Sequence, residues 1–123
     1  MSQKSIMLVD DSRISRLMLK AIISAHYPDW SVTEAEDARK ALKLCQSGQF
    51  DFITLDMNMP GVDGLTISPE LQEACPSAKI ALLTANFQER VQEQAAEQGL
   101  SFIPKPITED KIIDYLKKCL GGA

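Results

Sequence analysis

The sequence lacks the features that mark several large classes of protein. It has no apolar stretch near the ~20 residues that cross a membrane, and its first residues, Met1 to Lys4, lead into a strand-like run without an apolar signal segment. Basic residues are few, because 13 Lys and Arg stand against 17 Asp and Glu, which gives a net charge of −4. Nucleic-acid binding needs clustered Lys and Arg. We therefore expect a cytoplasmic protein with no membrane insertion and no nucleic-acid partner.

Cysteine is also scarce, and its pattern limits the chemistry further. Cys45, Cys75 and Cys119 are odd in number and far apart, and none belongs to a CxxC or CxxH motif. A disulfide framework would need pairs, and a zinc site would need closely spaced ligands. We therefore expect three reduced thiols.

Length and composition fit one domain. The chain has 123 residues, of which 45% are hydrophobic, so it can bury a sizeable core. It ends in Leu120-Gly121-Gly122-Ala123, where two glycines follow a helical pattern. We expect a single domain over residues 1–123 with no output domain.

Short apolar runs alternate with amphipathic stretches along the chain. This alternation is typical of repeated βα units and predicts an α/β fold with a mostly parallel sheet. The run Phe52 to Leu55 is almost continuously apolar, as a strand buried on both faces must be. The predicted strands cover residues 5–9, 32–35, 52–55, 80–83 and 101–103.

The helix patterns give boundaries and buried faces. The first helix should run from Ser12 to about Ala25, the second should follow a cap at Asp37 and stop at Gly48, and the last should follow a cap at Thr108. The buried stripe of the first helix is predicted to consist of Ile14, Leu17, Met18, Ala21 and Ile22.

Two further helices have unusual sequences. Pro69 is unfavourable in a helix interior by ~3 kcal/mol, so we expect the third helix to start late, with Ser68 as its cap. The fourth helix, residues 88–98, is strongly polar and has only Val91, Ala95 and Ala96 to bury. We therefore expect it to be the least stable helix.

Three acids, a hydroxyl and an ammonium follow separate strand-like runs. Asp10 and Asp11 follow the first run, Asp56 follows the third, Thr84 follows the fourth and Lys105 follows the last. The carboxyl ends of parallel strands meet at one edge of a sheet, where ligands of open α/β sheets bind. We therefore expect these side chains to form one site.

The chemistry of this set favours a metal and a phosphoryl group. Converging carboxylates repel one another, and a hard divalent cation such as Mg²⁺ relieves that repulsion. Lysine suits phosphoryl oxygens as a point charge with three donors. Taken singly, Asp11 could be a helix cap, Thr84 a strand end and Lys105 a solvated loop residue. The combination in register is what favours a functional site.

With these residues in place, the chain resembles the receiver domain of two-component response regulators, of the single-domain chemotaxis-regulator type. The resemblance covers essentially the whole chain and implies a doubly wound, flavodoxin-like sheet of five parallel strands in the order 2-1-3-4-5, with helices on both faces. The segments that carry it are Leu8-Val9-Asp10-Asp11-Ser12, residues 56–64, Leu83-Thr84-Ala85 and Lys105-Pro106.

The resemblance implies the ligands of a Mg²⁺ site. Asp56 resembles the phosphoacceptor of the family and also a metal ligand. Asp10 and Asp11 resemble the metal-site acids, with Asp11 the closer ligand. Asn58 matches the position that binds the metal through its backbone carbonyl.

The resemblance also implies a switch. Thr84 and Lys105 match the residues that hold the phosphoryl oxygens. Phe102 occupies the position of the family's rotating aromatic, and it lacks the hydroxyl that a tyrosine would have there. Pro106 would fix the loop that aims Lys105 inward, with a cis bond as one way to do so.

The implied function is a stand-alone signalling module. A histidine kinase or a small phosphodonor would phosphorylate Asp56, and the chain would then bind a downstream protein that the sequence does not identify. Chemotaxis-type signalling, a phosphorelay and a phosphate sink are all open. The protein would be no enzyme beyond promoting its own phosphorylation and dephosphorylation, and it would be a monomer or a phosphorylation-dependent dimer.

Two other classes share parts of this pattern. An aspartate-nucleophile phosphatase of the haloacid-dehalogenase type also uses Asp, Mg²⁺, Thr and Lys, but it expects Asp-x-Asp after the first strand, and here the order is Asp10-Asp11-Ser12. A flavodoxin-like electron carrier would need a phosphate loop rich in hydroxyls and glycine, and Asp10 and Asp11 would repel the phosphate of FMN.

Overall fold

The computed structural model describes residues 3–85 and 88–121, and within these ranges strands and helices alternate strictly. This alternation confirms the predicted α/β class. The elements are β1 (Ser5–Val9), α1 (Arg13–His26), β2 (Ser31–Ala35), α2 (Ala38–Ser47), β3 (Phe52–Asp56), α3 (Gly64–Ala74), β4 (Lys79–Thr84), α4 (Glu89–Glu97), β5 (Ser101–Pro104) and α5 (Glu109–Cys119).

The strands form one parallel sheet in the order β2-β1-β3-β4-β5, which confirms the order that the resemblance implies. The chain leaves β1 toward one edge and then returns to place β3 on its other side, so the strand order reverses between β1 and β3. Because the pairing matches Val9 with Leu55 and Leu55 with Leu82, the strands end at a common edge. Ligands of doubly wound sheets bind where the order reverses at this edge.

The sheet is buried on both faces, because helices cover each of them. Ile53 and Leu55 belong to a core cluster that includes residues of α2, α3 and α4. The neighbouring strand residues Leu8 and Leu83 belong to a second cluster with Leu19 of α1 and residues of α5. Alternate positions along a strand point to opposite faces, so each strand contributes to both cores. Helices therefore flank the sheet on both sides, as predicted.

Helix α1 has the predicted extent, but the prediction of its buried face is wrong. Ser12 caps it by accepting a hydrogen bond from the Ser15 N–H, at 3.2 Å. Leu19 and Ile23 are fully buried, and Ile22 is half-buried. The other four residues of the predicted stripe are exposed. Ile14, Leu17 and Met18 are 72%, 50% and 45% exposed, and Ala21 is exposed as well.

The error in α1 has a clear physical cause. The helix is apolar on two faces, and the longer run of helically spaced apolar residues lies on the face that the sheet does not cover. Packing on the sheet places Leu19 and Ile23 in the core instead. A stripe of exposed apolar residues therefore remains at the surface.

Helix α3 begins earlier than predicted, and Ser68 is not its cap. Asp63 caps the helix by accepting the Thr66 N–H at 2.8 Å, so Pro69 lies inside the helix. Pro69 removes one backbone hydrogen bond, and it lies on the exposed side. The cap and the burial of Leu65 and other apolar residues of the helix offset that cost.

The remaining helices match their sequence patterns closely. Asp37 accepts the Lys40 N–H at 2.8 Å, and Thr108 accepts the Lys111 N–H at 3.3 Å, so both predicted caps are confirmed. Gly48 follows α2 as predicted. In α4, Val91 and Ala95 are buried and Ala96 is exposed, so its inward face is smaller than predicted.

The three cysteines are free thiols, in agreement with the sequence. Burial, followed by the contact with Cys75, raises the pKa of Cys45 to about 12, which disfavours the reactive thiolate. None of the helices in residues 3–85 and 88–121 has both the length and the apolar character that a membrane span requires.

Gly64 at the start of α3 supports a specific stability prediction. A Cβ there would lie 2.7 Å from the Asp56 carbonyl oxygen and 2.8 Å from a methyl carbon of Leu82. Gly64→Ala should therefore lower the free energy of unfolding by ~1–3 kcal/mol, as overpacking does, although alanine is the better helix former. Urea denaturation measures the difference.

Gly48→Ala is the matched control, because the nearest atom to its added Cβ lies at 3.8 Å, which is ordinary van der Waals contact. We expect its unfolding free energy to change by less than ~1 kcal/mol. Equal stabilities for the two variants would contradict the close approach of α3 to the end of β3.

Candidate functional site

The five residues that the sequence singled out do lie at one edge of the sheet. Asp56 and Thr84 are the last residues of β3 and β4, and Asp10 directly follows β1. Asp56 pairs with Leu83, so Thr84 extends one residue further toward the same edge. Lys105 directly follows β5. The predicted convergence therefore holds for residues that are up to 95 positions apart in the chain.

The three acids form a compact cluster. Each of Asp10, Asp11 and Asp56 offers a carboxylate oxygen, and these oxygens all lie within 4.8 Å of one another. Asp10 and Asp56 are only 1% and 2% exposed, whereas Asp11 is exposed. The cluster is therefore buried on its inner side and open to solvent at Asp11.

The surroundings of Asp10 disfavour the charged form of its carboxyl group. Its Oδ1 accepts the Ser12 N–H at 2.8 Å, but its Oδ2 is buried and has no hydrogen-bond partner. Burial is the largest cause that raises the pKa of Asp10 from 3.8 to about 6. The hydrogen bond from Ser12 and the charge of Lys105 oppose this rise, whereas the charges of Asp56 and Asp11 add to it. An unpartnered buried oxygen beside two other carboxylates fits a cation ligand.

Asp56 is held by two donors. The Lys105 ammonium donates to its Oδ1 at 2.8 Å, and the Asn58 N–H donates to the same oxygen at 3.3 Å. Lys105 is half-buried and forms an ion pair with this nearly inaccessible carboxylate. Lys105 is thus not a solvated loop lysine. Both contacts go to one oxygen of Asp56.

Thr84 and Phe102 lie beside this contact. Thr84 is fully buried, and its carbonyl accepts the Lys105 N–H at 2.9 Å, so the backbone links two of the predicted site residues. Phe102 pairs with Leu82 in the sheet, and its half-buried ring packs against the core cluster on the α4 face. Pro106 is exposed, and the peptide bond that precedes it is cis.

Arg16 also supports the site, although no pattern in the sequence pointed to it. Its Nη1 donates to the Asp10 carbonyl at 2.7 Å, and its Nε donates to Glu34 of β2 at 2.9 Å. The arginine thus fixes the backbone of a buried acid to the neighbouring strand. A single arginine in an amphipathic helix is ordinary, and only the folded sheet brings Glu34 to it.

Residues 6–117 match the family described as the response regulator receiver domain. The sequence is also similar to the chemotaxis protein CheY of Listeria monocytogenes, with 33% identity over 115 residues that cover 92% of this chain and 95% of that protein. The family match covers every strand residue except Ser5, together with all the predicted site residues. No comparison supports the dehalogenase-type phosphatase or the flavodoxin-like carrier.

Solved structures with the same fold agree with this match. Response regulator protein TrrA from Thermotoga maritima, solved in complex with Mg²⁺-BeF, has 31% identity and a TM-score of 0.82, covering 94% of this chain and 98% of that one. Chemotaxis protein CheY4 of Vibrio cholerae has a TM-score of 0.86 at 23% identity, covering 95% and 98%, and so supports the fold.

The position of Asp10 predicts a pH-dependent change in stability. Its pKa is higher in the folded protein, about 6, than the ordinary value of 3.8, so the folded state binds the proton more tightly than the unfolded state does. Stability is therefore lost as the pH rises through this interval, and the full penalty applies at neutral pH. Asp10→Asn should remove it and raise the unfolding free energy by ~1–3 kcal/mol at neutral pH.

Urea denaturation in EDTA at neutral pH and at about pH 4 tests this expectation. The gain should shrink toward zero at the lower pH. Added Mg²⁺ should stabilise the wild type more than the variant, because ligands that bind only the folded state stabilise it. Asp114→Asn, an exposed acid on α5, is the control for the lost charge. A gain that is the same at both pH values would contradict the role of Asp10.

Proposed function

The chain belongs to the response regulator receiver family and is homologous to chemotaxis CheY proteins, and from this premise we propose that it accepts a phosphoryl group on Asp56 and changes its protein binding as a result. The surroundings of Asp56 carry the proposal. A nearly inaccessible carboxylate lies 2.8 Å from a lysine ammonium and within 4.8 Å of two further acids. The Asp56 carboxylate can attack phosphorus, and the lysine ammonium can balance the negative charge of a phosphoryl group.

The proposed step is a displacement at phosphorus. A carboxylate oxygen of Asp56 forms the new P–O bond, while the bond from phosphorus to the donor breaks and the leaving group keeps its electron pair. The donor is a phosphohistidine of a kinase or a small acyl phosphate. Phosphoryl transfer depends mostly on positioning and charge neutralisation. Lys105, now on the carboxylate, supplies a fixed positive charge to the phosphoryl oxygens, and Thr84 supplies a hydroxyl.

Mg²⁺ fits the acidic cluster, and we assign it to Asp10, Asp11, Asp56 and the backbone carbonyl of Asn58. The unpartnered Oδ2 of Asp10 and the close approach of the three carboxylates support a hard cation with oxygen ligands. When bound, the cation neutralises negative charge on the phosphoryl oxygens. The resident Lys105 neutralises only part of the acidic charge.

Phosphorylation would act on β4, β5 and α4 through Lys105. Its ammonium would exchange the Asp56 carboxylate for a phosphoryl oxygen, and its N–H is bonded to Thr84 at the end of β4. Phe102 packs against the cluster that contains Val91 of α4. Because α4 buries only Val91 and Ala95, a small local change can shift it. We assign the switch to Thr84, Phe102, Lys105 and Pro106.

The output is binding rather than chemistry on a second substrate. We propose a stand-alone cytoplasmic receiver, active as a monomer or a phosphorylation-dependent dimer, that acts in chemotaxis-type signalling or as a phosphate sink. Its similarity to CheY proteins over most of both chains supports the first role. Its only catalysis would be the gain and loss of its own phosphoryl group.

The exposed residues Ile14, Leu17, Met18 and Ala21 form a surface that we name the α1 stripe. The helix starts two residues after Asp11, so the stripe begins beside the acidic cluster. Exposed Arg13 and Lys20 lie on the same helix, which contains no acidic residue. A protein that brings phosphohistidine to Asp56 must cover this edge. We therefore assign the stripe to the phosphodonor domain of a histidine kinase, with an apolar face and an acidic rim.

The first test concerns the phosphoacceptor. Acetyl phosphate with Mg²⁺ should add a single phosphoryl group to the wild type, detected as the mass increase of the intact protein, because Asp56 alone combines burial with the Lys105 contact. Asp56→Asn should show no such increase, whereas Asp114→Asn on the exposed face of α5 should label like the wild type. Labelling of the Asp56 variant at the wild-type rate would disprove the assignment.

The second test separates the α1 stripe from the chemistry. The donor is the autophosphorylated histidine kinase that phosphorylates the wild type fastest in a panel from the same organism. Ile14→Ala combined with Leu17→Ala should lower kcat/KM for this transfer about thirtyfold, because two buried apolar contacts of ~1 kcal/mol each are lost. Labelling by acetyl phosphate should not change.

Leu120→Ala is the control for this test, since Leu120 is 40% exposed beyond the far end of α5. It should leave transfer from the kinase unchanged. If the Ile14 and Leu17 double variant lost phosphorylation rate equally with the kinase and with acetyl phosphate, the defect would lie in the phosphorylation site. If its rate did not fall with either donor, the α1 stripe would not take part in kinase recognition.

A further inference from the structure

The loop between β5 and α5 is held by a second lysine. The Lys111 ammonium donates to the Pro104 carbonyl at 3.0 Å and to the Pro106 carbonyl at 3.1 Å. These two prolines are the residues on either side of Lys105. One ammonium from α5 therefore bridges the backbone before and after the lysine that contacts Asp56.

This bridge matters because the loop has few other means of attachment. Pro104 and Pro106 have no backbone N–H, so Lys105 carries the one backbone donor among these three consecutive residues. That donor bonds to the Thr84 carbonyl of β4. The loop is thus tied to β4 through the Lys105 N–H and to α5 through the Lys111 ammonium.

Lys111 itself is well placed to act as an anchor. It is half-buried in the first turn of α5, and its own N–H bonds to the cap residue Thr108 at 3.3 Å. The next two residues, Ile112 and Ile113, are buried in the core. The helix backbone at this point therefore has little freedom to move.

The helix alone gives no reason for a lysine at this position. A cation in the first turn faces the positive end of the helix dipole, where acidic residues are favoured. Glu109 and Asp110, which precede Lys111, follow that preference. The hydrogen bonds from Lys111 to two carbonyls offset the electrostatic cost of this placement. Both carbonyls belong to the residues that flank Lys105.

We propose that Lys111 is a positioning residue that fixes the Pro104–Pro106 loop and so keeps the Lys105 ammonium on Asp56 and, after transfer, on the phosphoryl group. This inference rests on the proposed function of Asp56. Lys111 does not touch the reacting atoms. It acts through Lys105, because it holds the backbone on both sides of that residue. Such positioning matters, since a displacement of about 1 Å in a catalytic group can lower a rate by up to about a hundredfold.

The experiment is a double-mutant cycle on the full chain. The rate constant for phosphorylation by acetyl phosphate with saturating Mg²⁺ is measured by intact mass for the wild type, Lys111→Met, Lys105→Met and the double variant. Lys111→Met keeps the apolar stem and should lower the rate about fivefold to tenfold. In the Lys105→Met background the same change should cost less than about twofold, because a residue that acts through Lys105 has nothing left to position.

Two further variants separate positioning from folding. Lys111→Arg keeps a cation that can donate to both carbonyls and should stay within about twofold of the wild type. Lys117→Met removes an exposed lysine of the same helix and should have no effect. Mg²⁺ affinity, measured by calorimetry without a phosphodonor, should be the same in Lys111→Met and the wild type, since the acidic cluster is unchanged.

The outcomes are distinct. An unchanged rate in Lys111→Met, or an equal loss with and without Lys105, would overturn the positioning role. A loss of rate that follows a loss of Mg²⁺ affinity would also overturn it, because the defect would then lie in the acids. A wild type that acetyl phosphate does not label would refute the proposed function itself, independently of Lys111.

Discussion

The ion pair between the Lys105 ammonium and the Asp56 carboxylate is the contact on which the rest of the site depends. Asp56 ends the central strand and is almost inaccessible to water, so its charge would be costly without a partner. Lys105 follows the edge strand β5, and its N–H is bonded to Thr84 of β4. One residue thus connects the central strand, its neighbour and the edge of the sheet.

The ion pair leaves the site short of positive charge. Three carboxylates converge, one ammonium faces them, and one buried oxygen of Asp10 has no partner. Sites that function often keep such local imbalance at a cost in stability. The fold tolerates this imbalance because two hydrogen bonds fix the backbone of Asp10. Arg16 donates to the Asp10 carbonyl, and the Asp10 N–H donates to the Ala35 carbonyl. These backbone contacts hold Asp10 beside the other two acids, as the proposed binding of a cation and a phosphoryl group requires.

The sequence predicted what depends on local pattern and on strand ends. The order of elements, the caps of α2 and α5 and the convergence of Asp10, Asp56 and Lys105 followed from apolar runs and the residues after them. The buried face of α1 was mispredicted because the helix is apolar on two sides, and only packing on the sheet decides between them. The late start of α3 was wrong because the Asp63 cap and core burial outweigh a local rule about Pro69. Contacts such as that from Arg16 to Glu34 exist only in the folded sheet.

The prolines around Lys105 also affect how the sheet meets other chains. β5 lies at the edge of the sheet and is four residues long. The Lys105 N–H points to β4, and since alternate residues of a strand point their N–H groups to opposite sides, the nitrogen of Pro104 lies on the outer edge, where it has no hydrogen to donate. This edge is therefore short and lacks one backbone hydrogen-bond donor, and both features disfavour pairing with a strand of another molecule. The segment that places the Lys105 ammonium on Asp56 thus also leaves this edge of the sheet poorly suited to pair with a strand of another chain.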